Sequence, residues 1–114
     1  MSRFTIPECP RSLNVQMRWH WGLRRAYSEQ WQWYLRTNKL LWQELSVKAK
    51  VKITLMHSRL YDKDNAYGAC KVLVDAMKKQ RLIVDDTAEW LDLEVQQGKE
   101  PHKSRYTIVE IELA

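Results

Sequence analysis

The chain has 114 residues, 45% of them hydrophobic and 29% charged, with a formal net charge of +5. That is the make-up of one small globular domain spanning residues 1–114, and not of a disordered or fibrous chain. No apolar run approaches the ~18 residues of a membrane span, and no basic segment followed by an apolar one opens the chain, so a cytoplasmic protein that touches no membrane is expected.

The charge is uneven. Residues 1–50 carry nine Lys/Arg against three Asp/Glu, whereas residues 51–114 carry ten against eleven, much of the acid falling between positions 62 and 86. A basic half beside an acidic cluster points to a polyanion held near a cation, and hence to nucleic acid. Cys9 and Cys70 have no metal-ligand spacing and read as reduced thiols.

In chain order, Phe4–Ile6 reads as a strand stopped by Pro7 and Pro10, followed by a loop through Arg11–Asn14. From Leu23 to Leu45 the spacing is helical: Leu23, Tyr27, Trp31, Tyr34, Leu41, Trp42 and Leu45 share one stripe, and Trp33 and Leu40 a second. The second stripe predicts a homodimer contact or a bound partner, and most of the six tryptophans are expected in the core. Lys48–Met56 alternates lysine with apolar residues, a half-exposed strand continuing towards Tyr61, its lysines either an electrostatic footprint or, the safer reading, protection of a sheet edge. An amphipathic helix from Ala66 to Arg81, capped by Asn65, buries Ala66, Ala69, Cys70, Leu73, Ala76 and Met77. Gly68 in its first turn implies either close approach of another segment or a late helix start. Residues 87–97 and 104–113 read as strands of a hairpin with Gly98 and Pro101 at its tip. The predicted fold is α+β, β-α-β-α-β-β, with two helices on a mixed four-stranded sheet.

The chemistry concentrates in two acidic pairs, Asp62/Asp64 and Asp85/Asp86, bracketing the second helix. In an extended segment Asp62 and Asp64 share a face, and carboxylates a few ångströms apart repel by roughly 4 kcal/mol per pair at an effective dielectric near 20. A cation or a raised pKa must relieve this, and an oxygen-only donor set favours Mg²⁺ or Mn²⁺ over zinc. Lys71 either stabilises charge at such a site or forms an i, i+4 salt bridge with Asp75. His20, between two tryptophans, reads as a packed, hydrogen-bonded histidine, with a catalytic base as the alternative, and His57 and His102 lack partners at metal spacing. Arg11, Arg18, Arg24 and Arg25, near the loop-to-helix junction, are candidate DNA contacts, as are Arg59 and Lys63 beside the acids. Trp19 and Trp21 are candidates for stacking on nucleic-acid bases, core packing being the alternative for at least one of them.

Asp62-x-Asp64-Asn65, with Lys71, Asp75-Ala76-Met77, Ile83 and Asp85-Asp86, resembles the signature of the RusA family of Holliday junction resolvases. Pro10-x-Ser12-Leu13-Asn14, with Met17-Arg18 and His20-Trp21, is similar to the start of phage and prophage members, so the likeness spans roughly residues 10–110. The resemblance implies a RusA-like fold and a homodimeric, Mg²⁺-dependent endodeoxyribonuclease that nicks four-way DNA junctions symmetrically. It also implies that Asp62, Asp64 and Asp86 hold the metal, with Asp85 an additional candidate, and that Lys71 is the catalytic lysine. Two departures stand out: Lys71 lies seven residues after Asp64, where some members have four, and Gln96 occupies the place of a later lysine that Lys99 would have to replace. The alternatives are a junction-binding protein without catalysis and a Mg²⁺-dependent nuclease for another branched nucleic acid.

Overall fold

The computed structural model describes residues 2–38, 48–101 and 104–113. The elements run β1 (Ser2–Ile6), α1 (Leu13–Met17), α2 (Trp21–Asn38), β2 (Ala49–His57), α3 (Lys63–Ala69), α4 (Lys71–Lys79), β3 (Leu91–Lys99) and β4 (Tyr106–Leu113). The fold is α+β, with helices packed on a mixed four-stranded sheet of order β1-β4-β2-β3. Each helical region is split in two: a single turn of α1 precedes α2, and Cys70 separates α3 from α4. The predicted helix beyond Asn38, with Leu40, Leu41, Trp42 and Leu45, lies outside the described residues, as does His102.

β2 is the central strand. It pairs in parallel with β3, Ala49 opposite Leu91 through His57 opposite Lys99, and antiparallel with β4, Met56 opposite Tyr106. A parallel neighbour requires a crossover, supplied here by α3 and α4. The predicted hairpin is therefore not formed. Gly98 lies inside β3 opposite Met56, and the chain from Lys99 to Tyr106 passes from one flank of β2 to the other, Glu100 N–H donating to the His57 carbonyl at 3.0 Å. Nor do the lysines of β2 guard an edge. Lys50 sits between Asp92 and Glu112, and Lys52 between Glu94 and Glu110, with Lys52 Nζ 3.9 Å from a Glu94 carboxylate oxygen. Four of the acids in the second half of the chain thus flank two central lysines, well away from the 62–86 segment.

The alternation of β2 sends Ala49, Val51, Ile53 and Leu55 to the helix-covered face, all fully buried. They meet Phe4 and Ile6 of β1, Val109 and Ile111 of β4, Trp31 and Leu35 of α2, and Leu73, Val74 and Met77 of α4. The α2 stripe is narrower than predicted, because Trp31 and Leu35 are buried, Tyr27 and Tyr34 half-buried, and Leu23 exposed. Among the five described tryptophans only Trp31 is fully buried; Trp21 and Trp33 stand out in solvent. Both cysteines are buried free thiols, and burial pushes Cys70 up to about 12.

α4 is closed by Gln80 as its C-cap and by Arg81 just beyond it, whose φ of 60° lies in the left-handed region. Leu82 N–H donates to Met77 O at 2.9 Å and Arg81 N–H to Lys78 O at 3.1 Å, the paired bonds of a Schellman termination. This reversal buries Leu82 and Ile83 and returns Asp85 and Asp86 to the end of α4.

Gly68 marks a close approach, not a late start. A methyl group there would lie 2.5 Å from Leu13 Cδ2 and 3.0 Å from Leu13 Cβ and Cγ. Alanine in a helix ordinarily gains about 1 kcal/mol over glycine; here the clash reverses the sign. Gly68→Ala is expected to lower stability by about 1 kcal/mol through displacement of α1, read as a lower urea midpoint with an unchanged slope.

Candidate functional site

The segment between β2 and α3 is pinned by side chains from three directions. Gln97 accepts from Tyr61 N–H at 2.9 Å and donates to Tyr61 O at 2.9 Å, and His57 Nε2 lies 2.9 Å from the same Gln97 oxygen. Because that oxygen already accepts, the bond requires His57 Nε2 to carry its proton. Tyr61 Oη donates to Pro10 O at 2.9 Å. The clamp fixes the backbone that delivers Asp62 to the start of α3.

Asp62 is the N-cap of α3. Its Oδ1 accepts from Asn65 N–H at 2.9 Å and its Oδ2 from Asn65 Nδ2 at 3.0 Å. Asn65 is thus the third helical residue and not the cap. Its Oδ1 accepts in turn from Asn14 N–H at 3.2 Å, joining α1 to α3. Lys63 and Asp64 are already helical, so the extended geometry that would place Asp62 and Asp64 on one face does not apply. A helix turns about 100° per residue, which swings the two acids apart. Both carboxylates nevertheless favour this end of the helix, where unsatisfied N–H groups concentrate positive charge.

The second acidic pair has its own cation. Lys78 Nζ lies 2.9 Å from Asp85 and 3.8 Å from Asp86, and Asp85 also accepts from Asp86 N–H at 2.8 Å. Hydrogen bonding to Lys78 holds the Asp85 carboxyl below its usual range, with the Asp86 N–H assisting, and the bond to Asp85 raises the Lys78 ammonium. The repulsion anticipated from the sequence is relieved by a helix cap at one pair and by a lysine at the other.

The expected convergence of Asp62, Asp64 and Asp86 is accordingly not formed. Among the described residues no three Asp, Glu, His or Cys side chains gather closely enough to share a metal ion. Asp86 and Lys71 instead line one cavity of about 280 Å³ with Tyr67, Gly68 and Leu91, so the acidic turn does fold back onto the helices that Asp62 heads. Lys71 forms no ion pair with Asp75 within 4 Å, and Asp75 shares a neighbouring cleft with Lys71 and Arg24. Asp64 is exposed in the first turn of α3. Mg²⁺ is commonly held by one or two carboxylates, several waters and substrate phosphates. The donors here do not make a preassembled three-carboxylate cage.

A cavity of about 720 Å³ lies at the cap itself. Arg11, Arg59 and Arg105 line it together with the hydroxyl-bearing Ser12, Ser58 and Ser104, and Asp62 and Asn65 sit in its wall. Arg105 was not evident from sequence, because a hairpin would have sent it to a distant tip; the passage across the end of β2 places it beside Ser58 and Arg59. Of the other candidate contacts, Arg18 Nε donates to Asn14 O at 3.3 Å and Arg24 Nε to Gln16 O at 3.2 Å. Arg25 pairs with Glu29 at 3.4 Å. Lys63 is exposed on α3, and Lys99 ends β3 opposite His57. Cys9, also in the cavity wall, donates its thiol to Tyr106 O at 3.2 Å, and burial raises its pKa, which favours the thiol over the thiolate. His20 Nδ1 accepts from Leu23 N–H at 3.4 Å, a helix-start contact and not that of a catalytic base.

Asp62→Ala is expected to cost about 1 kcal/mol through loss of the cap, whereas Asp62→Asn keeps most of the stability; thermal unfolding of the two variants checks this. The Lys78–Asp85 pair sets a pH dependence. A depressed Asp85 adds stability above the ordinary carboxylate range that is lost as pH falls through its lowered pKa. A raised Lys78 adds stability below the ordinary lysine value that is lost as pH rises through its higher one. Lys78→Met should therefore flatten the unfolding profile at both extremes and return the Asp85 carboxyl, followed by NMR titration, towards its ordinary value. Compared with models of protein families and with curated proteins, the chain matches none.

Proposed function

We propose that this protein is a divalent-cation-dependent endonuclease acting on branched DNA, four-way junctions foremost, in the manner of the RusA family that its Asp-x-Asp-Asn motif resembles. The observation that carries the reading is the cavity at the start of α3, where three arginines and three serine hydroxyls surround the Asp62 cap. Guanidinium groups and hydroxyls in one concave site match the oxygens of a phosphodiester, and the Asp62 carboxylate in its wall is the kind of oxygen donor a hard cation takes.

In this reading Arg11, Arg59 and Arg105 grip backbone phosphates and fix the register of the DNA. Lys71, facing the Asp86 cavity, stabilises charge developing on the scissile phosphate. Asp64, exposed in the first turn of α3, supplies carboxylate oxygen to a Mg²⁺ or Mn²⁺ ion that is completed by the substrate, with Asp62 and Asp86 as the further candidate donors. Such an ion, when bound, polarises a phosphoryl oxygen and lowers the pKa of water. Two opposed cuts require two sites, which favours a homodimer, and the reading places the protein in the cytoplasm with the DNA. The separation of the three aspartates favours a second reading, a junction-binding protein that does not cleave.

A panel of synthetic four-way junctions, forks, duplexes and RNA, assayed for binding and for nicking in Mg²⁺ and Mn²⁺, separates the readings. The endonuclease reading expects junction nicking, with Asp64→Asn binding the junction normally while nicking is abolished. An Asp64→Asn variant cutting at the wild-type rate would remove the acids from catalysis, and tight junction binding without cleavage in either ion would leave the binding protein. Arg105→Ala is expected to weaken junction binding several-fold and to lower the salt dependence by about one unit of log–log slope.

A further inference from the structure

We propose that Trp21, with the cations around it, is a second nucleic-acid contact, a stacking platform for an unpaired base. The proposal rests on the nucleic-acid part of the reading above and is independent of cleavage.

Trp21 opens α2 and is 73% exposed, more than any other large apolar side chain among the described residues. Trp19, two residues earlier, packs edge-on against Tyr27 with ring centroids 4.8 Å apart and is half-buried. The Arg25 guanidinium lies 5.4 Å from the Trp21 ring centroid and is steadied by Glu29 one turn on. The indole is thus backed by a cation on one side and open to solvent over most of its surface. Arg24 of α2 and Lys79, the last residue of α4, join Trp21, Arg25, Glu29 and Gln32 in lining one surface cleft of about 480 Å³.

An exposed π face beside three cations and one carboxylate has a matching ligand. A nucleobase stacks on the ring, cations compensate the adjoining phosphates, and an amide such as Gln32 can meet the base edge. An apolar protein surface would desolvate Arg24 and Lys79, a cost that the Glu29 carboxylate, already paired with Arg25, does not offset. In a continuous duplex the base faces are already stacked, so the platform selects a base freed at a branch, a nick or a strand end.

The test compares wild type, Trp21→Ala and Trp21→Phe in fluorescence anisotropy titrations. The probes are a labelled short oligothymidylate and a labelled, fully paired duplex of the same length, both at low salt. Junction nicking in Mg²⁺ is measured on the same proteins. Trp21→Ala is expected to lose roughly ten-fold in affinity for the single strand, with duplex affinity unchanged and Trp21→Phe close to wild type. Single-strand affinity equal to wild type, or equal losses on both probes, would overturn the proposal, as would a wild-type protein that does not bind the single strand. Selective loss in a protein that never nicks junctions would sustain the platform and end the endonuclease reading. Because the ring is mostly in solvent, Trp21→Ala should unfold at the wild-type urea midpoint, which separates a lost contact from a lost fold.

Discussion

The hydrogen bonds between Asp62 and Asn65 are the constraint on which the rest of the site depends. They start α3 two residues after the clamp on Tyr61, and Asn65 passes the restraint to Asn14, so that α1 is tied to the same point. α1 then leans on Gly68, where a side chain of any size would force Leu13 away. A single capping pair therefore sets the positions of the loop that carries Arg11 and Ser12 and of the helix that carries Asp64. An N-cap of this kind contributes about 1 kcal/mol, and its larger effect is geometric, since three segments take their positions from it.

Charge in this protein is largely settled within the chain. Lys50 and Lys52 stand between columns of acids contributed by β3 and β4, and Lys78 answers Asp85 and Asp86. Exposed pairs of this type contribute little to stability, commonly below about 1 kcal/mol each, but they remove those residues from any count of uncompensated charge. What remains concentrated is the arginine set around the α3 cap and the group beside Trp21. An anionic ligand would meet its strongest field at those two places.

Burial follows the same division. The face of β2 turned to the helices is apolar without interruption until His57, and His57 is buried with its Nε2 hydrogen-bonded to Gln97. That bond stands where the core ends and the large cavity begins. A buried histidine must have a partner, and Gln97, in satisfying it, also holds both backbone polar groups of Tyr61. The polar residues at this end of the sheet link the packing of the core to the placement of Asp62.

Periodicity in the sequence determined the strand β2, the amphipathic stretch buried as α4 and the α+β class, because alternation and helical spacing depend only on which local faces meet water. It also marked Asp62, Asp64 and Arg11 as residues worth placing. Strand partners were beyond it. Whether 91–99 pairs with 106–113 or each pairs with β2 depends on long-range register, and only the tertiary structure decided that both flank β2, which carried Arg105 to the cavity. The direction of the acids was likewise decided by tertiary structure: Asp-x-Asp is written identically for a strand and for a helix cap, and the cap formed because Asn65 and the Tyr61 clamp start the helix at Lys63, turning Asp64 away from Asp62.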